Sequence, residues 1–128
     1  MLILTEKAVS AIEEGFATLA GVDELAAKLG VTKHHLIRVF GAETGLTPGG
    51  YITNTRIHYA KILLRHRSYS VETIAQMVGY SGANYFCKVF RRAEGKTPLA
   101  YRRGKTALPP LTPAEEAWID TTDRLSYT

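Results

Sequence analysis

The chain has 128 residues, 45% of them hydrophobic and 22% charged. That allows one compact globular domain or two very small ones, and excludes a large enzyme with separate cofactor and substrate lobes. The formal net charge of +4 is unevenly spread: residues 51–105 hold eleven basic side chains against Glu72 and Glu94, while residues 1–50 and 106–128 are each net acidic, which points to a polyanionic partner for the middle of the chain.

At the N-terminus the first methionine and only three further apolar residues precede Thr5, Glu6 and Lys7, too few for a secretory signal, and no apolar run approaches the roughly 18–20 residues of a membrane span. The expected location is the cytoplasm. A first helix over about 5–19 aligns Ala8, Ile12, Phe16 and Leu19 on one face. A short helix over about 22–29 ends at Gly30. The next covers about 33–44, capped by Thr32 and stopped by Gly45. A long helix over about 48–66 points Ile52, Ile57, Ala60 and Leu64 inward. Its opening pair, Gly49-Gly50, costs about 1 kcal/mol per glycine relative to alanine and is expected to loosen that start. A second short helix spans about 71–78 after Ser70, and another about 82–94 after Ser81, stopped by Gly95. Further helices follow Pro98 and Pro113, each preceded by threonine, and Glu115 completes a capping box with Thr112. No segment shows sustained strand alternation, so the chain reads as all-α.

Within these elements lies an internal repeat. Residues Val22 to Gly30 match Val71 to Gly79 at an offset of 49. Leu36, Arg38, Val39, Phe40, Gly45, Thr47 and Pro48 match Phe86, Lys88, Val89, Phe90, Gly95, Thr97 and Pro98 at an offset of 50. Each copy is a short helix, a glycine turn and a longer helix, with a small Ala26 or Ala75 where the helices must approach: the helix-turn-helix arrangement. The expected organisation is a first subdomain over 1–47, a linker helix over 48–66, a second subdomain over 67–105 and an acidic tail over 106–128.

Leu36, Val39 and Phe40 form one buried stripe, and Phe86, Val89, Phe90 and Ala93 its counterpart. Lys33, His34, Ile37 and Arg38 then face outward in the first copy; Asn84, Cys87, Lys88 and Arg91 do so in the second, with Tyr85 at the edge. A helix entering a major groove needs donors in its N-terminal half. Arg38 and Lys88 can donate to guanine, Asn84 can pair with adenine, and Ile37 and Cys87 can lie against thymine methyls. Adjacent His34 and His35 diverge by about 100° around a helix and no carboxylate or thiol stands at ligand spacing, so neither a metal nor any other cofactor is expected; the single cysteine, Cys87, also allows no intramolecular disulfide. A 19-residue helix is roughly 28 Å long, close to the roughly 34 Å between successive major grooves on one face of DNA. Both reading helices of one monomer are thus expected to reach adjacent grooves.

The residues that carry these patterns resemble the AraC/XylS family of bacterial transcription regulators over about 5–103. In the first half they are Leu36-Ile-Arg38-Val-Phe40, Gly45-Leu-Thr-Pro48, Tyr51-Ile52 and Arg56-Ile57 with Ala60 and Leu63-Leu64. In the second they are Ile74-Ala75, Val78-Gly79-Tyr80-Ser81, Asn84-Tyr85-Phe86, Val89-Phe90-Arg91, Gly95, Thr97-Pro98 and Tyr101-Arg102. The resemblance implies two helix-turn-helix subdomains that bind double-stranded promoter DNA, most often to activate transcription. It puts base-reading positions at His34, Ile37, Arg38, Asn84, Tyr85, Cys87 and Lys88, and a mainly structural role at Arg56. Larger members of that family carry a sensing and dimerisation domain for which 128 residues leave no room, so the chain is expected to be a monomeric regulator or a piece of a longer one. The tail lies outside the family pattern: packing on the body, a contact with RNA polymerase and the start of a further domain all remain open for it. The rival readings are a DNA-modifying enzyme, for which neither Glu13-Glu14 nor Cys87 has a base partner, and a helical protein-interaction adaptor, which would lack salt-dependent DNA affinity.

Overall fold

The computed structural model describes residues 3–104 and 110–126, with side chains to residue 122 in the second stretch; Lys105 and Pro109 therefore lie outside the described residues. Among the described residues every regular element is helical: α1 (Ile3–Gly15), α2 (Val22–Lys28), α3 (Lys33–Thr44), α4 (Pro48–His66), α5 (Val71–Met77), α6 (Ala83–Glu94), α7 (Pro98–Arg103) and α8 (Pro113–Ser126). Contacts divide the chain into two units, Met1–Tyr59 and Ala60–Thr128. The division falls inside α4. The stretch expected as a separate linker thus supplies core residues to both units, Ile52 and Ile57 to the first and Ala60, Leu63 and Leu64 to the second.

Local sequence places most helix starts. The Thr32 hydroxyl accepts from His35 N–H at 3.1 Å, Thr47 from Gly50 N–H at 2.9 Å, Ser70 from Thr73 N–H at 3.1 Å and Thr97 from Ala100 N–H at 3.1 Å. Each removes one orphan donor from a first turn. At α8 the capping box closes in both directions: Glu115 N–H donates to Thr112 Oγ1 at 3.2 Å and Thr112 N–H to Glu115 Oε1 at 2.9 Å. The glycine pair at the start of α4 is helical from Pro48 onward, and a Cβ on Gly50 would stand 3.0 Å from the Thr47 hydroxyl.

Two expected starts and stops differ. α1 ends at Gly15, and Phe16 to Thr18 form a turn, because Thr18 and Leu19 N–H both return to the Gly15 carbonyl. α6 is entered through extended Gly82, with no side-chain cap, so Ser81 does not cap it.

The first unit packs α1 against α2 and α3. Ala8, Ile12, Phe16, Leu19, Leu25, Leu36 and Phe40 are buried. Phe16 stacks on Tyr59 with ring centroids 4.7 Å apart, and Tyr51 meets Phe40 edge-on at 5.7 Å. The second unit packs α6 against α5 and α7 around Ile74, Val78, Phe86 and Phe90. Its Tyr101 meets Phe90 edge-on at 5.6 Å, so the fifty-residue offset of the repeat is also an offset in aromatic geometry. Ile119 of α8 is buried and Glu116 lies 3.1 Å from the Arg67 guanidinium, which ties the tail helix into the second unit. The expected stripes need one correction. Val39 and Val89 are only half-buried and Ala93 is exposed, because each longer helix is held mainly through its two fully buried large residues, Leu36 and Phe40 or Phe86 and Phe90.

Two arginines close helix ends from a distance. Arg56 donates from Nε and Nη2 to the Phe16 carbonyl at 3.1 and 2.9 Å, and from Nη2 to the Leu19 carbonyl at 2.6 Å. Arg102 donates from Nε to the Leu64 carbonyl at 2.9 Å and from Nη2 to the Arg67 carbonyl at 3.3 Å. A guanidinium suits this task because its donors are fanned in one plane and it brings positive charge to the negative end of a helix. Replacing Arg56 with alanine should lower stability by about 2 kcal/mol, read as a reduced urea midpoint by circular dichroism. Lysine should recover only part of it, since one ammonium cannot match the fork.

Tyr51 gives a second test. Its hydroxyl donates to Glu13 Oε1 at 3.2 Å; burial, then the Glu13 charge, then this bond raise its pKa above the ordinary value near 10. A phenol with a raised folded-state pKa contributes stability below its unfolded pKa and loses it as pH climbs through the folded one. Glu13→Gln should move the Tyr51 titration back toward its ordinary value without restoring it fully, followed by tyrosine ring-carbon NMR.

Candidate nucleic-acid interface

Each helix-turn-helix turn has the same backbone wiring. Val31 N–H donates to the Ala26 carbonyl at 3.1 Å and Gly30 N–H to Ala27 at 3.1 Å. In the second unit Tyr80 N–H donates to Ala75 at 2.9 Å and Gly79 N–H to Gln76 at 3.2 Å. This paired closure needs a left-handed residue, and Gly30 (φ 71°) and Gly79 (φ 108°) provide it without a Cβ penalty. Ala26 and Ala75 are buried. The turn therefore sets the direction in which α3 and α6 leave, and with Leu36, Phe40, Phe86 and Phe90 facing the core it sets which side each helix shows to solvent.

On that side of α3, Lys33, His34 and Arg38 are exposed and Ile37 is half-buried, so Ile37 is less available than its outward position implied. Its backbone neighbour Leu36 is fully buried, and Ile37 sits at the margin of that apolar face. Lys33 Nζ lies 3.6 Å from Asp23 of α2, an exposed pair of small energetic weight. Arg38 Nη2 lies 2.9 Å from His35 Nδ1.

On α6, Asn84, Lys88 and Arg91 are exposed and Cys87 is half-buried. Tyr85, expected at the edge, is 65% exposed; Tyr80 supports it edge-on at 5.9 Å while itself resting against Phe86 at 5.5 Å. The phenol is thus presented outward on a buried aromatic base. A shallow depression beside the helix start is lined by Glu72, Ser81, Gly82, Ala83, Asn84 and Tyr85.

The basic residues fall into two groups that composition could not separate. Arg56 and Arg102 are consumed on backbone carbonyls, Arg67 pairs with Glu116, and Lys61 pairs with Glu94 at 3.1 Å. Lys61 and Arg65 also lie over the Tyr101 ring at 5.9 and 5.6 Å. By contrast the side chains of Lys88, Arg91, Arg92, Lys96 and Arg103 make no hydrogen bond or ion pair among the described residues. Apart from Lys7 on α1, free positive charge among the described residues is therefore gathered on α6 and the segment after it. Arg92 was not singled out in the sequence, and His35 was weighed there only as a metal ligand and not as a partner of Arg38. The signal for Arg92 is its place beside Arg91 in the last turn of α6, and for His35 its three-residue spacing from Arg38. Among the described residues no group of three histidine, cysteine or carboxylate side chains could hold a metal ion, and no helix is long and apolar enough to cross a membrane.

A family model described as a helix-turn-helix domain matches residues 25–104. The chain is 35% identical over 97 residues to the HTH-type transcriptional activator RhaS of Klebsiella pneumoniae, covering 76% of this chain and 35% of that protein. It thus spans about a third of the length of the curated relatives it matches. The C-terminal domain of AraT, a response regulator from Geobacillus stearothermophilus, is similar in structure with a TM-score of 0.80 and 26% identity, covering 88% of this chain and 93% of that one. The DNA-binding domain of AdpA, a global transcriptional factor solved in complex with a target DNA, aligns with a TM-score of 0.70 and 30% identity, covering 77% of this chain and 88% of that one. With two helix-turn-helix copies in register and a family match over most of its length, this chain belongs to the AraC-type helix-turn-helix family.

Proposed function

We propose that the chain is a sequence-specific DNA-binding regulator of transcription, acting as an activator, with α3 and α6 as the reading helices in adjacent major grooves of promoter DNA. The observation that carries this reading is the set of exposed cations on α6, unpaired among the described residues, beside Asn84 and Tyr85, matched by Arg38 at the equivalent place on α3. Phosphate contacts from Arg91 and Arg92 would hold the duplex. Arg38 and Lys88 are the donors for guanine edges, Asn84 for adenine, and Ile37, Cys87 and Tyr85 offer apolar contact. Lys33 and His34 complete the first face. The DNA in the AdpA complex and the activator name of RhaS support the reading. It makes the chain a binding protein rather than an enzyme, working in the bacterial cytoplasm on the nucleoid. RNA polymerase is the protein partner that activation requires.

Selection of bound sequences from a random duplex library at physiological salt tests this. The expected product is an asymmetric site with two short boxes about one helical turn apart. Arg38→Ala should relax one box and Lys88→Ala the other, each by roughly 1–3 kcal/mol. Repeated or inverted boxes would replace the monomer with a dimer. No enrichment, together with binding that disappears at moderate salt, would return the protein-interaction adaptor.

The two units should also differ in salt dependence. The Arg91→Ala, Arg92→Ala double variant should reduce the slope of log affinity against log salt by about 2. Lys33→Ala should change it less, because Lys33 is already shared with Asp23. A binding titration at four salt concentrations reads both, and the reverse ranking would overturn the assignment of phosphate contacts to α6.

A further inference from the structure

The exposed face of α3 carries one side-chain bond that the charge pattern does not explain. Arg38 Nη2 stands 2.9 Å from His35 Nδ1, one turn back on the same helix. Among the described residues neither side chain makes any other hydrogen bond or ion pair. His35 is itself anchored, because its backbone N–H donates to the Thr32 hydroxyl at 3.1 Å, so the ring projects from a capped turn. A guanidinium only donates. The bond therefore needs a lone pair on Nδ1, which an imidazole protonated at Nε2 supplies and an imidazolium does not.

We propose that His35 is a positioning residue for Arg38: its neutral ring holds the guanidinium in a reading orientation and releases it on protonation, which makes base discrimination at that position depend on pH. The proposal rests on the reading of Arg38 as a base contact. A long arginine side chain loses rotamer freedom on binding, and a partner that orders it beforehand lowers that cost. The charged and titratable groups around the ring favour the switch. Lys33 and His34 share the helix, Asp23 of α2 is engaged by Lys33 at 3.6 Å, and no charged side chain of α1 bonds to His35. Protonation thus puts an imidazolium beside Arg38 in a cluster of like charge, and DNA phosphates would draw the ring away. The second reading helix has no counterpart. The offset of fifty places Tyr85 and Lys88 there, and Tyr85 leans on Tyr80. The pH dependence belongs to the first box alone.

The test measures affinity of the 128-residue chain for its selected duplex and for duplexes with single base changes in each box, at pH about 8 and about 5.5, a range across which imidazoles exchange a proton. On acidification the intact chain should lose about fivefold in discrimination at the Arg38 position and keep the Lys88 box. His35→Ala should start at the lowered level and show no further change. His35→Asn, whose Oδ1 stands where Nδ1 stood and does not titrate, should keep discrimination at both pH values. Discrimination by His35→Ala equal to that of the intact chain at both pH values would overturn the proposal, as would His35→Asn behaving like His35→Ala. Arg38→Ala leaving both boxes unchanged would overturn the base-reading role itself, and the proposal with it.

Discussion

The turn between the two helices of each motif is the constraint on which the rest depends. A short helix must reverse within a few residues and meet a longer helix closely. Left-handed Gly30 and Gly79 close that reversal, and buried Ala26 and Ala75 sit where bulk would hold the helices apart. Once the reversal is set, Leu36 and Phe40, or Phe86 and Phe90, have one core to enter. The remaining arc of each helix is then solvent-facing by geometry. An alanine at either glycine would strain the backbone of the turn and so act on the reading face without touching it.

Positive charge in this chain does two different jobs. Arg56 and Arg102 use their guanidinium forks to satisfy carbonyls at the ends of α1 and α4, so a later helix of each unit is tied back to its first. These bonds are partly buried and to charged donors, the class that contributes most per bond. Among the described residues Lys88, Arg91, Arg92, Lys96 and Arg103 have no such employment. Their charge is available to a polyanion because the structural work is done elsewhere. A count of basic residues cannot make that distinction; hydrogen-bond partners can.

The two longer helices are built alike and finished differently. α3 begins at a threonine cap, carries its arginine against His35 and shares its lysine with Asp23. α6 begins at uncapped Gly82, presents a phenol supported by Tyr80 and leaves its cations unpaired among the described residues. Ordered donors favour discrimination, because the alternative base meets a group already committed in direction. Unpaired cations favour attraction to the backbone whatever the sequence. The proposed division of labour between the two copies rests on these differences in side chains.

Much of this was legible in the sequence because its causes are local. The caps at Thr32, Thr47, Ser70, Thr97 and Thr112 act over three residues, the glycine stops over four, and the stripes of Leu36–Phe40 and Phe86–Phe90 over one turn, so spacing suffices to find them. The repeat, and with it the outward positions Arg38, Asn84 and Lys88, follows from the same short-range pattern. Tertiary structure decided what depends on partners far along the chain. Arg56 bonds Phe16 and Leu19 across about forty residues, Arg102 reaches Leu64 and Arg67, and Glu116 of the tail helix meets Arg67 across forty-nine. The end of α1 at Gly15, the exposure of Ala93 and the half-burial of Ile37 and Cys87 belong to the same class. Periodicity states which side of a helix is apolar. How far a neighbouring element covers the margin of that side is fixed only when the helices meet.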